Sequence, residues 1–193
     1  QEDFDLQEIH RFPNGPIEVN GSLRWDFEGL FEEIKSGIAS AVRMCPGTVS
    51  GIGVDTWGVD FGLLDENGEL LESPYHYRDS RTEGIIEKAM EYMSKRDIYD
   101  ATGIQFMPIN TVYQLLAMKE ANDPTLQRSA LILWIADLIS FYLCGNPYAE
   151  YTLASTGQVL DMKRGTWANN VFQQLGLPLE KMPALTEPGV ILG

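Results

Sequence analysis

The 193-residue sequence predicts a single α/β domain. β-Prone stretches and amphipathic helical stretches alternate along the whole chain, which is typical of folds in which helices cover a sheet. The chain is also 44 % hydrophobic, which is enough at this length for one sizeable core. No internal repeat, heptad or low-complexity segment breaks this pattern.

Charge excludes two classes of partner. The chain has 28 acidic and 14 basic residues, a formal net charge of −14, and a surface this negative repels phosphate backbones and anionic lipid. We therefore expect neither a nucleic-acid nor a membrane partner. The longest apolar run, Ala130–Ala136, is far too short to span a bilayer, and the acidic start is unlike a signal peptide. Cys45 and Cys144 form no metal-ligand or dense disulfide pattern, which predicts a reducing, cytoplasmic location.

The first elements are predicted to be strands of an antiparallel meander. Asn14-Gly15 and Asn20-Gly21 are turn dipeptides that separate short β-prone runs. These runs are Leu6–Phe12, Pro16–Val19 and Leu23–Trp25.

A helix follows, for which Asp26 is the expected cap. Apolar residues recur at helical spacing from Phe27 to Val42. Val49–Val54 is then predicted as a buried strand. The run Phe61–Leu71 is predicted to fold back on itself as a hairpin around Asn67-Gly68.

Two capping boxes are predicted to start the next helices. Ser80 with Glu83 precedes one apolar helical pattern, and Thr111 with Gln114 precedes another.

The second half of the chain is predicted to hold a further buried strand, Leu131–Trp134. Gly103 and Pro108 exclude one continuous helix before it. Asp137 is the expected cap of the helix that follows this strand, and Gly145 is its expected C-terminal stop.

The two ends of the sequence suggest a fragment. The stretch FDLQEIHRF is a predicted strand almost at the first residue, without a preceding turn or cap. The stretch ALTEPGVILG ends in an apolar run for which the sequence offers no strand partner. We expect that a first strand and a later domain belong to the same protein.

Several motifs together resemble a known family. In their order and separations they are similar to the first domain of the L-rhamnulokinases, of the FGGY sugar-kinase family that also includes glycerol and xylulose kinases. The similar segments are GIGVDTWGVDFGLLDENG, YHYRDSRT, KRDIYDATGIQFMPINTVYQLLAM and EYTLASTGQ.

The resemblance implies both a fold and a function. The fold would be the actin-like, ribonuclease-H-like ATPase domain, a five-stranded mixed sheet flanked by helices. The activity would be ATP-dependent phosphorylation of L-rhamnulose to L-rhamnulose 1-phosphate. ATP and Mg²⁺ would be cofactors of the full-length protein, and the sugar and the C-terminal domain would be the partners of this chain.

Two family features are not found in the sequence. Family members begin with a strand and a glycine- and serine-rich turn around an aspartate, which grips the ATP phosphates and Mg²⁺. Their general-base aspartate lies in a His-Asp-Thr-like motif early in the second domain, and no such motif follows Pro188. The resemblance therefore implies that residues 1–193 are an N-terminal domain fragment. It would carry no catalytic, metal or cofactor-binding residue, bind no nucleotide tightly and be inactive alone.

The loop from Thr56 to Asp60 is the main candidate for a sugar site, because it leaves the carboxyl end of a predicted strand. Gly58 lets a ligand approach the main chain, and Trp57 offers a flat face to a deoxy-sugar. Thr56 and Asp60 can exchange hydrogen bonds with hydroxyl groups. In related kinases this loop contacts the sugar, which transfers most directly to Gly58 and Val59. The alternative is a structural turn around a core tryptophan.

Three further candidates lie outside this loop. Arg78 and Asp79 either steady the sugar site or form a local ion network with Arg81. Gln105 carries an amide suited to polyol recognition and matches a family substrate contact. Asn110 carries an amide too, and its expected role is to precede the helix that starts at Thr111.

The remaining titratable residues suggest no catalytic group. Asp55 and Asp60 resemble an acid and base pair, yet Asp55 is expected to be a structural acceptor at a strand end. His10 and His76 have neither metal-ligand spacing nor a nucleophile partner. Two alternative functions stay open: another sugar kinase of the family, of the xylulose or fuculose type, and a non-catalytic sugar-binding domain.

Overall fold

The computed structural model describes residues 6–45, 47 and 49–193. Helices and strands alternate in it, as an α/β fold requires. In chain order they are β1 (Pro16–Val19), β2 (Ser22–Trp25), α1 (Phe27–Met44), β3 (Phe61–Leu64), α2 (Ile85–Met90), α3 (Lys95–Thr102), α4 (Thr111–Glu120), α5 (Pro124–Arg128), β4 (Leu131–Trp134), α6 (Ile135–Cys144), β5 (Tyr148–Glu150), α7 (Tyr151–Ser155), β6 (Leu160–Asp161), β7 (Thr166–Trp167), α8 (Asn169–Leu175) and β8 (Ala184–Thr186), with 3₁₀ turns at Ser80–Thr82 and Leu179–Lys181.

The first hairpin confirms part of the predicted meander. β1 and β2 pair antiparallel around Asn20 and Gly21, whose φ angles of 53° and 81° are those of a tight hairpin turn. The predicted strand Leu6–Phe12 is wrong, since residues 6–12 have no regular structure and pair with no strand of the described chain. Residues 4 and 5, which begin the stretch FDLQEIHRF, lie outside the described residues.

Helix α1 begins where the sequence predicts. The Asp26 carboxylate accepts a hydrogen bond from the Gly29 N–H at 3.0 Å and so caps the first turn. Phe27 and Leu30 are buried, and they pack in one cluster with residues of β3, β4 and α6.

The centre of the domain is the antiparallel pair β3–β4. Phe61 lies opposite Trp134, and all four residues of β3 are buried. The predicted turn after β3 is confirmed, because the Asp65 carboxylate accepts from the Asn67 and Glu69 N–H groups. The second arm of that hairpin is only an isolated bridge between residues 64 and 70 rather than a strand.

The predicted buried strand Val49–Val54 is wrong. Residues 49–53 are exposed, and no strand of the described chain lies beside them to accept their hydrogen bonds. Strands also do not form one continuous sheet here. They pair two by two within the described chain, with β1–β2, β3–β4 and β6–β7 antiparallel and β5–β8 parallel. Asp55 is exposed, and because no strand of the described chain directly precedes it, it is not a structural acceptor at a strand end.

The predicted capping box at Ser80 and Glu83 is wrong. Asp79, one residue earlier, caps the 3₁₀ turn through the Arg81 N–H, and α2 starts later, after Gly84 with φ 72°. Glycine is needed there because the left-handed conformation excludes most side chains.

Helix α4 is the most buried helix of the fold. Residues 111–118 are all buried, which requires apolar side chains on every face of the helix, and most of them are apolar. Gly103, with φ 67°, ends α3 before it, as the sequence predicts. The predicted capping box at Thr111 and Gln114 is wrong, because both side chains turn inward and contact the loop before β3.

The segment from β4 to α7 is tied together by a buried aspartate. Asp137 is not the cap of α6, which begins directly at Ile135. Its Oδ1 accepts from the Glu150 N–H at 3.1 Å, while Oδ2 has no partner among the described residues. Burial raises the pKa of this carboxyl to about 7. The predicted end of α6 at Gly145, with φ 81°, is confirmed.

Among the described residues, no helix combines the length and the apolar character that crossing a bilayer would require. Cys45 and Cys144 are both free thiols in the structure.

We expect Asp137→Asn to remove a pH dependence of stability. An unfolded aspartate releases its proton near pH 4, whereas the folded one holds it to about pH 7, so the folded chain loses stability as pH rises through this window. Asparagine resembles the neutral acid and does not titrate. Urea unfolding should therefore give similar free energies for the two proteins at pH 4, and a variant more stable by roughly 2 kcal/mol or more at pH 8.

The control for this test is Glu66→Gln, which neutralises an exposed carboxylate. Parallel stability curves for wild type and Asp137→Asn between pH 4 and pH 8 would contradict the assignment.

Candidate functional site

The loop before β3 contains a strained three-residue turn. The Asp60 N–H donates to the Gly58 carbonyl at 2.9 Å, and Val59 between them has φ 69°. This is a γ-turn with a β-branched residue in the left-handed region, which costs on the order of 1–3 kcal/mol. Such a conformation persists only where its surroundings fix it. We refer to Gly58, Val59 and Asp60 as the γ-turn.

The N-terminus of α4 holds this γ-turn from one side. The Thr111 hydroxyl donates to the Val59 carbonyl at 2.7 Å, and the Gln114 amide donates to the same oxygen at 3.3 Å. Thr111 Oγ1 in turn accepts from the Trp134 indole N–H at 3.0 Å. Both polar residues that the sequence predicts as a capping box therefore serve the γ-turn.

The Asp60 carboxylate holds the γ-turn from the other side. It is fully buried and accepts four hydrogen bonds. The Trp25 indole N–H (2.6 Å), the Trp57 indole N–H (3.0 Å) and the Tyr77 backbone N–H (3.2 Å) reach Oδ2, and the Gln114 amide (2.9 Å) reaches Oδ1. All four partners are donors, which suits an ionised carboxylate. Burial raises the pKa of the Asp60 carboxyl, and the four hydrogen bonds oppose this rise.

The main-chain N–H groups of Gly58 and Val59 are candidate hydrogen-bond donors to a ligand. Within the described residues neither group donates to a protein acceptor. Two consecutive free N–H groups at a tight turn can bind one oxygen atom of a ligand. The γ-turn thus offers two N–H donors, whereas the Val59 carbonyl and the Asp60 carboxylate already accept hydrogen bonds from the protein.

The segment after α7 packs closely against the γ-turn. We refer to Thr156 and Gly157 as the second wall of the candidate site, the γ-turn being the first. A Cβ on Gly58 would lie 2.7 Å from Thr156 Oγ1, and one on Gly157 would lie 2.7 Å from Thr111 Oγ1. A side chain at either position would therefore have to displace a neighbouring threonine or the main chain. Gly157 also accepts from the Val112 N–H at 3.0 Å, which joins this segment to α4.

Gln105 lies on a neighbouring loop with an exposed side chain that makes no hydrogen bond within the described residues. Its carbonyl accepts from the Asn110 amide at 2.8 Å. Asn110 also donates to Gln158 Oε1, and Gln158 donates to the Ile104 carbonyl. This network places Gln105 beside the second wall. Asn110 does precede α4, as expected, although its side chain makes no capping bond to the helix.

Four aromatic rings surround the Asp60 carboxylate. Trp25 lies 4.2 Å from Trp57 and 4.3 Å from His76 between ring centroids, and His76 stacks on Tyr77 at 4.4 Å. Burial lowers the pKa of His76, and its Nδ1 accepts from the Arg78 N–H. The indole N–H of Trp57 and one of its faces are therefore engaged within the protein.

The segment after this cluster holds the charged candidates. Asp79 is buried and accepts from the Leu23 N–H at 2.8 Å and the Arg81 N–H at 3.1 Å. Arg81 also lies 3.5 Å from its carboxylate, so the predicted ion network exists between these two residues. Arg78 is exposed beside the Tyr77 ring, 5.4 Å from its centroid, and takes no part in that network.

The structure thus brings most of the predicted loop together and adds residues that the sequence analysis missed. Thr56 is half-buried and donates to the Trp57 carbonyl at 3.1 Å. The missed residues are Trp25, Thr111, Gln114, Gly157 and Gln158. Only one signal could have found any of them: two polar residues three positions apart in an otherwise apolar helix.

No metal centre can be assigned. Among the residues that the structure describes, no three His, Cys, Asp or Glu side chains lie where they could hold an ion together. An open groove of about 780 Å³ lies elsewhere, between α3, the β6–β7 hairpin and α8. It contains none of the candidate residues, and its lining side chains are mostly exposed, so we base the site on the γ-turn and its buried contacts instead.

Comparison with known proteins identifies the family. The model of the FGGY family of carbohydrate kinases, N-terminal domain, matches residues 9–193. The rhamnulokinase of Enterobacter sp. (strain 638) is 39 % identical over 195 residues, covering 100 % of this chain and 39 % of that protein. The rhamnulokinase of Oceanobacillus iheyensis is 38 % identical over 190 residues, covering 98 % of this chain and 40 % of the relative.

Solved structures share the fold at lower identity. A gluconate kinase from Lactobacillus acidophilus superposes with a TM-score of 0.84 at 21 % identity, covering 93 % of this chain and 37 % of the other. A xylulose kinase from Rhodospirillum rubrum gives 0.84 at 17 % identity, covering 94 % and 39 %. Glycerol kinase of Plasmodium falciparum, solved with ADP, gives 0.77 at 20 % identity, covering 94 % and 38 %.

These likenesses confirm the predicted fold class, an α/β domain of the actin-like ATPase type. The chain spans about two fifths of the length of the curated relatives that it matches. Because the family model covers nearly all of it, the chain belongs to the FGGY family of carbohydrate kinases and corresponds to their N-terminal domain.

Proposed function

We propose that this chain is the N-terminal domain of an ATP-dependent kinase that converts L-rhamnulose to L-rhamnulose 1-phosphate. The observation that carries the proposal is the γ-turn, which presents two free N–H groups beside a wall of polar and aromatic side chains. The relatives named rhamnulokinase support the choice of sugar. The two isolated cysteines support a cytoplasmic location.

Direct contacts to the sugar are assigned to groups that the fold leaves unoccupied. These are the N–H groups of Gly58 and Val59 and the exposed side chains of Arg78 and Gln105. The Thr56 hydroxyl donates to the Trp57 carbonyl, and its oxygen is assigned as an acceptor for the sugar. The N–H groups and the Arg78 guanidinium can donate to sugar hydroxyl oxygens, and the Gln105 amide can both donate and accept.

Trp57, Asp60 and Asp79 have a supporting role in this proposal. Their polar atoms already bind protein groups, and both aspartates are buried. They therefore hold the wall that faces the sugar, and the ring of Trp57 adds apolar surface to it.

In this proposal, phosphoryl transfer from ATP to the sugar also needs groups from parts of the protein other than residues 1–193. The terminal sugar hydroxyl attacks the γ-phosphorus of ATP in line, the bond to the β–γ bridging oxygen breaks, and ADP leaves. We assign the base that accepts the hydroxyl proton to a second, C-terminal domain. ATP and Mg²⁺ are assigned there and to a preceding strand and turn, as the resemblance to the family implies.

We expect the intact protein to form ADP with L-rhamnulose and to be at least tenfold less efficient, by kcat/KM, with xylulose, fuculose or glycerol. The reason is that groups on a rigid turn discriminate against sugars that leave a polar group without a partner. A coupled assay for ADP with this panel measures the effect. Equal turnover of all four substrates would contradict the assignment of the sugar.

We expect Gly58→Ala to weaken binding of L-rhamnulose at least tenfold. The new Cβ would lie 2.7 Å from Thr156 Oγ1 and 3.2 Å from Thr156 Cβ, which displaces the γ-turn. Because the change is at the surface of the site, the free energy of unfolding should change by only about 1 kcal/mol. Calorimetric titration and urea unfolding measure the two effects.

Gly15→Ala is the matched control, because a Cβ there meets nothing within 4 Å. Adding Thr156→Ala to Gly58→Ala should restore part of the affinity. An unchanged affinity in Gly58→Ala would show that the sugar does not depend on the γ-turn.

A further inference from the structure

We propose that Gln114 is a positioning residue for sugar binding, which holds the γ-turn in its strained shape and is itself oriented by Arg81. This inference rests on the proposed function, because it names the residue that forms the sugar wall. Gln114 lies in the first turns of α4 and is only 1 % exposed, so it acts through the γ-turn rather than on the ligand.

The amide group of Gln114 is completely used by the fold. Its Nε2 lies 2.9 Å from Asp60 Oδ1, 2.8 Å from the Ile109 carbonyl and 3.3 Å from the Val59 carbonyl. Two N–H groups thus serve three acceptors, two of which belong to the γ-turn. Its Oε1 accepts a hydrogen bond from Arg81 Nη2.

Only one orientation of this amide satisfies its neighbours. A guanidinium group has donors and no acceptor, so Arg81 requires the oxygen of Gln114 on its side. The carboxylate of Asp60 requires the NH₂ group on the other side. A flipped amide would oppose donor to donor at Arg81 and oxygen to oxygen at Asp60. Arg81 therefore selects the orientation in which Gln114 binds the γ-turn.

Arg81 is itself fixed by its surroundings. Its guanidinium lies 3.5 Å from the Asp79 carboxylate and 3.8 Å from the centre of the Tyr75 ring, which Arg24 also contacts at 3.8 Å. Burial lowers the pKa of Arg81, and the nearby Asp79 carboxylate opposes this effect. A continuous set of contacts therefore leads from Asp79 through Arg81 and Gln114 to Asp60.

This set of contacts is a second connection between two candidate regions, besides the bond from the Tyr77 N–H to Asp60. The segment with Arg78 and Asp79 and the loop with the γ-turn are separated in sequence, and Gln114 bonds to groups fixed in both. A purely structural glutamine would have no effect on sugar binding once its volume was replaced. Loss of a positioning glutamine would change sugar binding, because its amide sets where the free N–H groups of the γ-turn lie.

The test replaces the amide and keeps the length of the side chain. Gln114→Met removes both donors and the acceptor. Gln114→Glu keeps an acceptor for Arg81 but sets a second carboxylate against Asp60, which disturbs the γ-turn at least as much. Gln173→Met, an exposed glutamine on α8, is the matched control.

The first measurement needs no sugar. In ¹⁵N-resolved NMR spectra of this chain, we expect Gln114→Met and Gln114→Glu to shift the indole N–H resonances of Trp25 and Trp57. The backbone N–H of Asp60 should exchange with solvent at least tenfold faster, while Gln173→Met leaves all three groups unchanged. If both Gln114 variants keep the wild-type resonances and exchange rates, the inference is overturned.

The second measurement uses steady-state kinetics of the intact protein with L-rhamnulose. We expect Gln114→Met to raise KM at least tenfold and to change kcat by less than threefold, since the residue acts on sugar binding and not on phosphoryl transfer. An active wild type with an unchanged KM in Gln114→Met would overturn the inference. A wild type that does not use L-rhamnulose would contradict the proposed function alone, and the spectra would still decide whether Gln114 holds the γ-turn.

Discussion

The buried carboxylate of Asp60 is the constraint on which the rest of the structure depends. A buried charge is costly unless it is completely hydrogen-bonded, and Asp60 receives its donors from four separate places in the chain. These are β2, the loop before β3, the segment after residue 76, and α4. Each must be correctly placed for the others to be stable, so one side chain fixes the geometry around the γ-turn.

Local patterns predicted the elements that local chemistry determines. The Asn20-Gly21 turn, the Asp26 cap and the stop at Gly145 depend on a few adjacent residues, and all three were confirmed. The strands at 6–12 and 49–54 were predicted from β-prone composition alone, but a strand also needs a partner, which the described chain does not supply. The predicted capping box at Thr111 and Gln114 failed because both side chains donate to acceptors across the fold instead of accepting from the N–H groups of their own helix end. The one at Ser80 and Glu83 failed because Asp79 caps that turn.

The site could be predicted only in part for the same reason. The loop from Thr56 to Asp60 was predicted from its residue types and its family resemblance, and we propose it as one wall of the sugar site. The partners of this wall come from residues about 20 to 100 positions away, such as Trp25 and Gly157, whose contacts leave no short-range pattern. Sequence spacing also could not show that Asp60 is buried while Asp55 is exposed, since each directly follows a Gly-Val pair.

The most direct test of this account is the free energy of unfolding of Asp60→Asn, measured with urea at pH 7 beside Asp55→Asn. Asparagine has the shape of aspartate, but its NH₂ group would face a donor that now binds the carboxylate. We predict a loss of roughly 3 kcal/mol for Asp60→Asn and a change within about 0.5 kcal/mol for Asp55→Asn. Equal and small effects of the two substitutions would contradict the claim that the Asp60 carboxylate organises the site.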